Sequence, residues 1–337
     1  MQRQNSRRPY RVVVHGLADF CQKLPGLLGS ETWYVRDYSK HLVSDIPAFV
    51  SDLRRCDLIY TWGGRISFGK FLSAARFLAR GKLIMLWCGS DVLFARKQLA
   101  TRTIEPWVAE KIHWAVSPTL AQEVRSLGLP CEYVQASFVE PVARPKPLPE
   151  KFSVLVYSPS VKKGYLYGLD QILEIADSLR FIEFNLVGLE QGHISHAPPN
   201  FKVHAHVPIT PFLEKSTVIW RPVRHDGGIS FLVLEALAHG RHVLYSYPFP
   251  ACIQARDKEA ARRELRRLHL LHEAGGLRLN EDGIQTVARD YTRDKVRSNL
   301  LHRWEEIILR PSSGIGELSS RADHRMLSRP DSSGSND

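Results

Sequence analysis

The sequence predicts an α/β fold with two parallel-sheet domains. Short apolar runs of strand character alternate with helical segments in both halves of the chain, a pattern typical of parallel sheets covered on both faces by helices. Between the halves, residues 140–149 hold four prolines, and this composition excludes a helix or a central strand there. At 337 residues, the chain is long enough for two domains with separate cores.

The apolar runs place the predicted strands. In the first half they are residues 12–14, 58–60, 83–86 and 115–116, and in the second half residues 154–156, 184–187, 218–220 and 243–245. These runs and the composition divide the chain into a first domain (1–140), a proline-rich linker (141–150), a second domain (151–290), a further segment (291–310) and a tail (311–337). The tail is rich in serine, glycine and charge, so we expect it to be disordered.

Several classes of protein are excluded by composition. The five cysteines are scattered and form no Cys-x-x-Cys pair, so neither a disulfide frame nor a structural zinc site is predicted. No uninterrupted apolar run approaches the roughly 20 residues that a bilayer span requires. The N-terminus moves into a strand without the apolar core of a signal peptide. We therefore expect a cytoplasmic protein.

The net charge of +11 is concentrated in one region. Residues 54–102 hold ten lysines and arginines but only two acidic residues, Asp57 and Asp91. Such a patch suits nucleic acid, anionic lipid or an acidic acceptor. No recognition motif for nucleic acid accompanies it, so we do not expect nucleic acid to be the partner.

A helical segment lies within this basic region. Apolar residues from Phe68 to Ala79 follow helical spacing, with lysines and arginines among them. One interpretation is an interfacial helix that rests on an anionic membrane, at the inner face of the cell membrane. The other is an ordinary amphipathic helix that covers the sheet. Under either interpretation its charged face contributes to the basic patch.

Residues 221–250 form the most informative segment. An apolar strand ends at Trp220, a polar loop with paired glycines follows, and apolar residues at helical spacing lead to a second strand. Ser230 is suited to cap the helix start and Gly240 to end the helix. Glu235 is a carboxylate inside this otherwise apolar helix. Helix-start amides near a carboxylate suit a ligand with phosphate and hydroxyl groups, such as a nucleoside diphosphate.

The run Glu235-Ala236-Leu237-Ala238-His239-Gly240 resembles the donor-site signature of the "group 1" retaining glycosyltransferases of GT-B fold. In that signature an acidic residue precedes the glutamate by eight positions. Here Asp226 precedes Glu235 by nine positions, so the loop carries one extra residue. The resemblance implies two Rossmann-like domains that face each other across a cleft, with a terminal helix that crosses back to the first domain.

The same resemblance implies an activity. The enzyme would move a sugar from a nucleoside-diphosphate sugar to a glycan, polysaccharide or lipid-linked acceptor, with retention. It would need neither a metal ion nor a cofactor beyond this co-substrate. Two other functions stay open. One is a nucleotide-sugar epimerase, and the other is a non-catalytic GT-B binding or scaffold protein, which the displaced Asp226 favours.

The resemblance places the donor site in the second domain. Glu235 would bind the ribose hydroxyls, and Lys162 and Lys163, in the loop after the first strand of that domain, would bind the diphosphate. Asp226 would act as a catalytic carboxylate in the loop that faces the donor sugar, together with His225, Gly227, Gly228, Ile229 and Ser230. The residues alone also allow a helix-start carboxylate, a solvated lysine pair and an ordinary turn.

The acceptor side is assigned to the first domain. Trp87-Cys88-Gly89-Ser90-Asp91 follows a strand and is similar to a Trp-x-Gly-Ser-Asp stretch that faces the cleft in bacterial glycosyltransferases. Asp91 would be the second catalytic carboxylate and would orient an acceptor hydroxyl, although a helix-capping role for Ser90 or Asp91 explains these residues equally well. Trp62 ends another strand and is predicted to line the same mouth. The pair His15-Gly16 resembles the glycine-bearing first loop of the family.

Overall fold

A computed structural model describes residues 8–39, 45–190, 192–225, 228 and 230–310. These residues form two six-stranded parallel sheets with helices packed on them. The predicted α/β class with two parallel-sheet units is therefore confirmed. The predicted tail, 311–337, lies outside the described residues.

The first sheet contains β1 (Tyr10–Gly16), β2 (Trp33–Asp37), β3 (Leu58–Trp62), β4 (Lys82–Trp87), β5 (Ile112–Ala115) and β6 (Cys131–Tyr133). Their spatial order is β2-β1-β3-β4-β5-β6, and every neighbouring pair is parallel. Strand β3 is buried over its whole length, as expected for a central strand with helices on both faces. The helices of this half are α1 (Ala18–Cys21), α2 (Leu24–Leu28), α3 (Ile46–Arg55), α4 (Lys70–Leu78), α5 (Ser90–Leu99), α6 (Pro106–Ala109) and α7 (Pro118–Ser126).

The second sheet contains β7 (Ser153–Tyr157), β8 (Glu183–Val187), β9 (Phe201–His204), β10 (Val218–Arg221), β11 (His242–Tyr245) and β12 (Ile253–Gln254). Their order is β12-β11-β10-β7-β8-β9, again with parallel pairs. Its helices are α8 (Leu169–Ser178), α9 (Thr210–Glu214), α10 (Phe231–Ala238), α11 (Lys258–Glu273) and α12 (Glu281–Asp290).

The connection between β6 and β7 contains neither helix nor strand, and Arg241 anchors it. The side chain of Arg241 is fully buried. It donates hydrogen bonds to the carbonyl oxygens of Pro147, Leu213 and Glu214 at 3.1, 2.9 and 3.2 Å. The buried guanidinium therefore holds the proline-rich segment against the second sheet unit.

The last helix, α13 (Arg293–Leu309), returns to the first sheet unit. Its residues Leu300, Trp304 and Ile307 are buried in the same core as strands β1 and β3. The ring centroid of Trp304 lies 5.1 Å from that of Tyr60. Lys82 Nζ donates to the carbonyl oxygen of Ile307 at 2.6 Å, which ties the end of the helix to β4.

Helix α4 covers the first sheet with Phe71, Leu72 and Ala75, which are buried. Phe77 is 80% exposed, and Arg76 lies beside it with Cζ 5.8 Å from the ring centroid. The helix thus has the amphipathic covering role, and membrane contact stays a prediction. No helix in the described part of the chain combines the length and apolar character that a membrane span requires.

Candidate active site

A cavity of about 670 Å³ lies between the two halves, within the usual range for ligand-binding clefts. Each sheet changes its strand order at one place, between β1 and β3 in the first sheet and between β7 and β10 in the second. Ligands of open α/β sheets bind at the carboxyl ends of strands at such switch points. Residues that end or follow these four strands line the cavity: Leu17, Trp62, Tyr157 and Arg221. The two switch points therefore open onto one space.

A second cavity, of about 250 Å³, lies at the other end of the first sheet. It is walled by the starts of β4 and β5, by Trp107 and Trp114, and by the last turns of α13. The amino ends of parallel strands are not where such sheets bind ligands. The cavity between the halves is therefore the candidate site.

Helix α10 places Glu235 in the wall of this cavity. Ser230 occupies the predicted N-cap position, although its side chain makes no capping hydrogen bond. At the other end, Gly240 has a φ of +67° and terminates the helix in a Schellman motif, which glycine favours because it adopts left-handed angles freely. The glycine therefore sets the end of the helix that carries Glu235, whereas the side chain of Ser230 does not cap its start.

Glu235 is half-buried between helix neighbours that are fully buried. Burial raises the pKa of its carboxyl group, and the charge of Lys23 opposes that rise. Within the described residues the carboxylate has no hydrogen-bond or ion-pair partner. A shielded carboxylate without a protein donor is suited to accept hydrogen bonds from ligand hydroxyl groups.

Arg221, which is not among the predicted site residues, ends β10 in the same cavity wall. The residue is only 7% exposed. Its Cζ lies 4.6 Å from the ring centroid of Tyr167 and 5.9 Å from that of Tyr157. Nε and Nη1 are shielded from solvent and have no acceptor in the part of the chain that the structure describes. The signal that could have found Arg221 is a basic residue at the carboxyl end of an otherwise apolar strand.

The loop that carries Tyr167 is tied to the segment after Arg221. Gly168 has a φ of +68°, and a Cβ there would lie 2.2 Å from the carbonyl oxygen of the residue that follows Arg221, so glycine is required for this approach. Two nitrogens of Arg224 donate to the two carboxylate oxygens of Asp170 at 2.8 and 2.7 Å, and these bonds lower the pKa of Asp170. The contacts hold Tyr167 against Arg221.

Side-chain contacts join the halves across the cleft. His225 Nε2 lies 3.0 Å from Glu123 Oε2 on α7, and the ring of Phe20 on α1 stacks on that of Phe231 at the start of α10, with centroids 5.7 Å apart. His225, predicted on the donor side, therefore contacts the first half rather than the cavity wall.

The loop between β10 and α10 approaches the first half at Gly228. A Cβ on Gly228 would lie 2.6 Å from Val116 Cγ2, so the absence of a side chain permits the approach. Gly228 and Ser230 both line the cavity. Asp226, Gly227 and Ile229 lie outside the described residues, and their predicted roles stay predictions.

Lys162 and Lys163 lie in a 3₁₀ turn, Val161–Lys163, after β7. Both residues are exposed, and neither forms part of the cavity wall. Ser160 caps the turn by accepting a hydrogen bond from the N–H of Lys163 at 3.3 Å. The structure therefore does not bring the two lysines together with Glu235.

The predicted acceptor-side tryptophans differ in position. Trp62 is nearly buried but lines the cavity. Trp87 is 0% exposed and lies in the core rather than on the cleft wall. Its Nε1 donates to His113 Nδ1 at 3.1 Å, and Gly64 packs on its ring so closely that a Cβ there would lie 2.0 Å away.

The carboxylate of Asp91 accepts hydrogen bonds from backbone N–H groups of the loop between β4 and α5, of the first turn of α5 and of the segment after β3. The donors are the N–H groups of Gly64, Cys88, Gly89 and Val92, at 2.7 to 3.1 Å. Burial raises the pKa of Asp91 and these bonds lower it. This arrangement favours the structural alternative, in which Asp91 braces the loop. Ser90 is exposed at the start of α5 and is not part of the cavity wall.

His15 and Gly16 end β1 outside the cavity wall. The ring of His15 stacks on Phe71 of α4 at 3.9 Å between centroids, and burial lowers its pKa. Gly16 has a φ of +139°, and a Cβ there would lie 1.9 Å from the carbonyl oxygen of Trp62. The pair therefore shapes the turn that leads to Leu17 in the cavity. Within the described residues, no group of three or more His, Cys, Asp or Glu side chains is placed to hold a metal ion.

Comparisons with known proteins bear on the fold. No protein-family model matches the sequence, and no curated protein matches it. A glycosyltransferase from Rickettsia africae is similar in structure, with a TM-score of 0.63 and 10% identity over 90% of this chain and 100% of that one. HepE from Anabaena, solved with UDP and glucose, has a TM-score of 0.63 and 11% identity over 88% of this chain and 100% of its own.

A third similar structure is the pneumococcal O-GlcNAc transferase GtfA, solved with UDP and GlcNAc. It has a TM-score of 0.56 and 11% identity over 81% of this chain and 61% of that one. At such low identity these likenesses show the fold. The two Rossmann-like domains that face each other in the GT-B plan are therefore confirmed.

Proposed function

We propose that this protein is a glycosyltransferase that moves a sugar from a nucleoside-diphosphate sugar to a glycan, polysaccharide or lipid-linked acceptor. The observation that carries the proposal is Glu235, a half-buried carboxylate without a partner among the described residues, in the cavity between the carboxyl ends of two facing parallel sheets. The similar structures from Anabaena and pneumococcus hold UDP with glucose or GlcNAc, which supports a nucleotide sugar as the ligand here.

On the donor side, Glu235 accepts hydrogen bonds from the ribose hydroxyl groups, because an ionised carboxylate can receive two such bonds at once. The resemblance assigns the binding of the transferred sugar to Asp226 and its neighbours Gly227, Ile229 and Ser230. The motif around Glu235 supports retention at the anomeric carbon, and basic side chains rather than a metal ion neutralise the leaving group.

On the acceptor side, the walls formed by Leu17, Phe20 and Trp62 present apolar and aromatic surface to the sugar face of an acceptor. The basic residues of 54–102 favour an anionic acceptor or an anionic membrane surface. Phe77, 80% exposed beside Arg76, supports peripheral contact of a cytoplasmic enzyme with such a surface.

The test begins with the donor. Purified protein is mixed with UDP, GDP, ADP, CMP and the corresponding sugars, and the thermal midpoint is measured. A ligand at a hundred times its dissociation constant adds roughly 2.7 kcal/mol of stability. We expect one diphosphate to stabilise the wild type and to lose that effect in Glu235→Ala. Glu259→Gln, which changes an exposed carboxylate of α11, is the matched control and is expected to behave as wild type.

Turnover then separates the alternatives. Consumption of the donor only when an acceptor glycan is present supports a transferase. Release of an altered nucleotide sugar without an acceptor identifies an epimerase, and binding without turnover of any donor identifies a non-catalytic GT-B protein. Failure of every nucleotide to stabilise the wild type contradicts the proposal.

A further inference from the structure

Among the described residues, no carboxylate pairs with the guanidinium of Arg221. Arg224, three residues further along the chain, forms a two-bond pair with Asp170. Arg221 is 7% exposed, and its Nε and Nη1 find no acceptor within the described residues. Glu235 lines the same cavity, but no ion pair joins it to Arg221 in the part of the chain that the structure describes. A buried guanidinium without a counter-charge is strongly disfavoured unless an anion completes the site.

The guanidinium is also held in a fixed place. Tyr167 and Tyr157 lie on it with Cζ 4.6 and 5.9 Å from their ring centroids, and the two rings meet edge to face at 5.9 Å. Such contacts stabilise a cation by attraction to the ring faces without neutralising it. Because the loop of Tyr167 is tied to the segment after β10 through Gly168 and Asp170, the side chain is positioned before any ligand arrives.

The position of Arg221 in the sheet matches a phosphate subsite. Arg221 and Tyr157 end β10 and β7, the two strands at the switch point of the second sheet. The start of α10 and Glu235 lie in the same cavity wall. A diphosphate at Arg221 would therefore share one pocket with a ribose at Glu235. Arginine suits this role because its planar fork matches phosphate oxygens and stays charged at every physiological pH.

We propose that Arg221 binds the diphosphate of the donor, and that the exposed Lys162 and Lys163 do not. This inference rests on the proposed function. In the transfer, the bond between the anomeric carbon and the diphosphate oxygen breaks, and its electron pair stays on that oxygen. The acceptor oxygen forms the new bond to the anomeric carbon, and its proton passes to the released diphosphate. Arg221 stabilises the negative charge that develops on the leaving oxygen.

The test uses three variants of the full chain and two kinds of probe. Arg221→Met removes the charge, Arg221→Lys keeps the charge without the fork, and Lys162→Ala with Lys163→Ala is the matched control. The probes are inorganic pyrophosphate and the nucleoside diphosphates UDP, GDP and ADP, measured by calorimetric titration. We expect Arg221→Met to weaken both kinds of probe by roughly tenfold to a hundredfold. The affinity of Arg221→Lys should lie between those of the wild type and Arg221→Met. The variant that lacks both Lys162 and Lys163 should change affinity by less than about fivefold.

Stability of the ligand-free protein separates a binding arginine from a structural one. Replacing an unpaired buried charge with an apolar side chain of similar length should leave the urea midpoint of Arg221→Met equal to or above that of the wild type. A clear fall in that midpoint, or nucleoside diphosphate binding as tight as in the wild type, would overturn the inference and leave the proposed function standing. Arg221-dependent binding of pyrophosphate with no binding of any nucleoside diphosphate would overturn the donor assignment and the proposed function. Binding of neither probe to the wild type would overturn both.

Discussion

His225 Nε2 lies 3.0 Å from Glu123 Oε2, and the contact joins the loop after β10 to helix α7 on the opposite side of the cleft. The two side chains are 10% and 19% exposed, so the contact is shielded on most sides. Arg96 Nη2 lies 3.3 Å from the same Glu123 oxygen. One carboxylate therefore connects a basic residue of the first half with the predicted donor loop of the second.

This arrangement predicts that Glu123→Ala weakens the contact between the two halves. The loss of its contacts with His225 and Arg96 should lower the free energy of unfolding by about 1 kcal/mol. Hydrogen–deuterium exchange should become faster at residues 221–225 and along α7. Asp177→Ala, which breaks an exposed pair with Arg180 within one half, is the control. Unchanged exchange around His225 in Glu123→Ala would show that this contact does not hold the cleft.

The raised pKa of Glu235 predicts that donor binding depends on pH. Because burial raises this pKa above its ordinary value of 4.5, the carboxyl group takes up a proton at a higher pH than an exposed glutamate. Protonation removes an acceptor for ribose hydroxyls, so nucleotide affinity should fall as the pH drops from 7 toward 4.5. The ligand's terminal phosphate also titrates, near pH 6, so the affinities of wild type and Glu235→Gln are compared at each pH. An equal pH dependence in both proteins would contradict the assignment.

Arg241 is predicted to be a determinant of stability rather than of activity. Its side chain satisfies three carbonyl oxygens in a fully buried setting. Arg241→Met removes three hydrogen bonds from a fully buried setting and should lower the free energy of unfolding by about 3 kcal/mol, as measured by urea denaturation. Arg180→Met, at a side chain that is 67% exposed, should stay within about 0.5 kcal/mol of the wild type. A small effect of Arg241→Met would mean that the linker does not depend on this anchor.

The central strands could be predicted from the sequence because of how they are buried. Val154, Leu155 and Val156 are all fully buried, and a strand covered on both faces appears in the sequence as a continuous apolar run. The edge strand β2 has only alternate residues buried at its start, and β6 has three residues. Such short or half-exposed strands give no continuous run, so neither was predicted.

The site was predicted in part, and the rest depended on tertiary contacts. Glu235 could be selected because a carboxylate inside an apolar helix is conspicuous. Arg221 directly follows an apolar run, but only the folded chain shows that Asp170 pairs with Arg224 and not with Arg221. Trp87 ends an apolar run, and its burial follows from the contact with Gly64, which lies 23 residues earlier in the chain.

The buried His113 predicts a loss of stability in acid. It is 2% exposed, Trp87 Nε1 donates to its Nδ1, and burial lowers its pKa from 6.5 to about 4. Between these two values the unfolded chain binds a proton that the folded chain does not, so stability falls as the pH drops through this window and is unaffected above it. The loss should reach about 3 kcal/mol near pH 4.

The measurement for His113 is urea unfolding at a series of pH values from 7.5 to 4. Burial also lowers the pKa of His15, His204, His239 and His242, so the wild-type slope contains several contributions. His113→Gln keeps groups that can donate and accept but does not titrate, and its slope should be shallower than that of the wild type. If stability depends on pH equally in the wild type and in His113→Gln, the pKa of His113 is the same in the folded and the unfolded chain, and the prediction is wrong.

The close approach of Gly228 to Val116 predicts that a side chain at position 228 would push the two halves apart. A pair of substitutions tests this prediction. In Gly228→Ala the new methyl group would lie 2.6 Å from Val116 Cγ2, closer than two carbons can pack, so the loop and the first half must separate. Overpacking of this kind costs about 1–3 kcal/mol, and here the strain falls on the contact between the halves. We therefore expect weaker nucleotide binding in Gly228→Ala, together with a lower free energy of unfolding.

The partner substitution Val116→Ala removes the opposing methyl groups. In the double variant the added and the removed groups compensate, so nucleotide affinity should return toward that of Val116→Ala alone, which gives a coupling between the two sites. Gly26→Ala is the control, because a Cβ there meets nothing within 4 Å. If the two substitutions weaken nucleotide binding additively, the contact between Gly228 and Val116 does not determine how the two halves close on the ligand. The loss of affinity then arises within the donor loop itself.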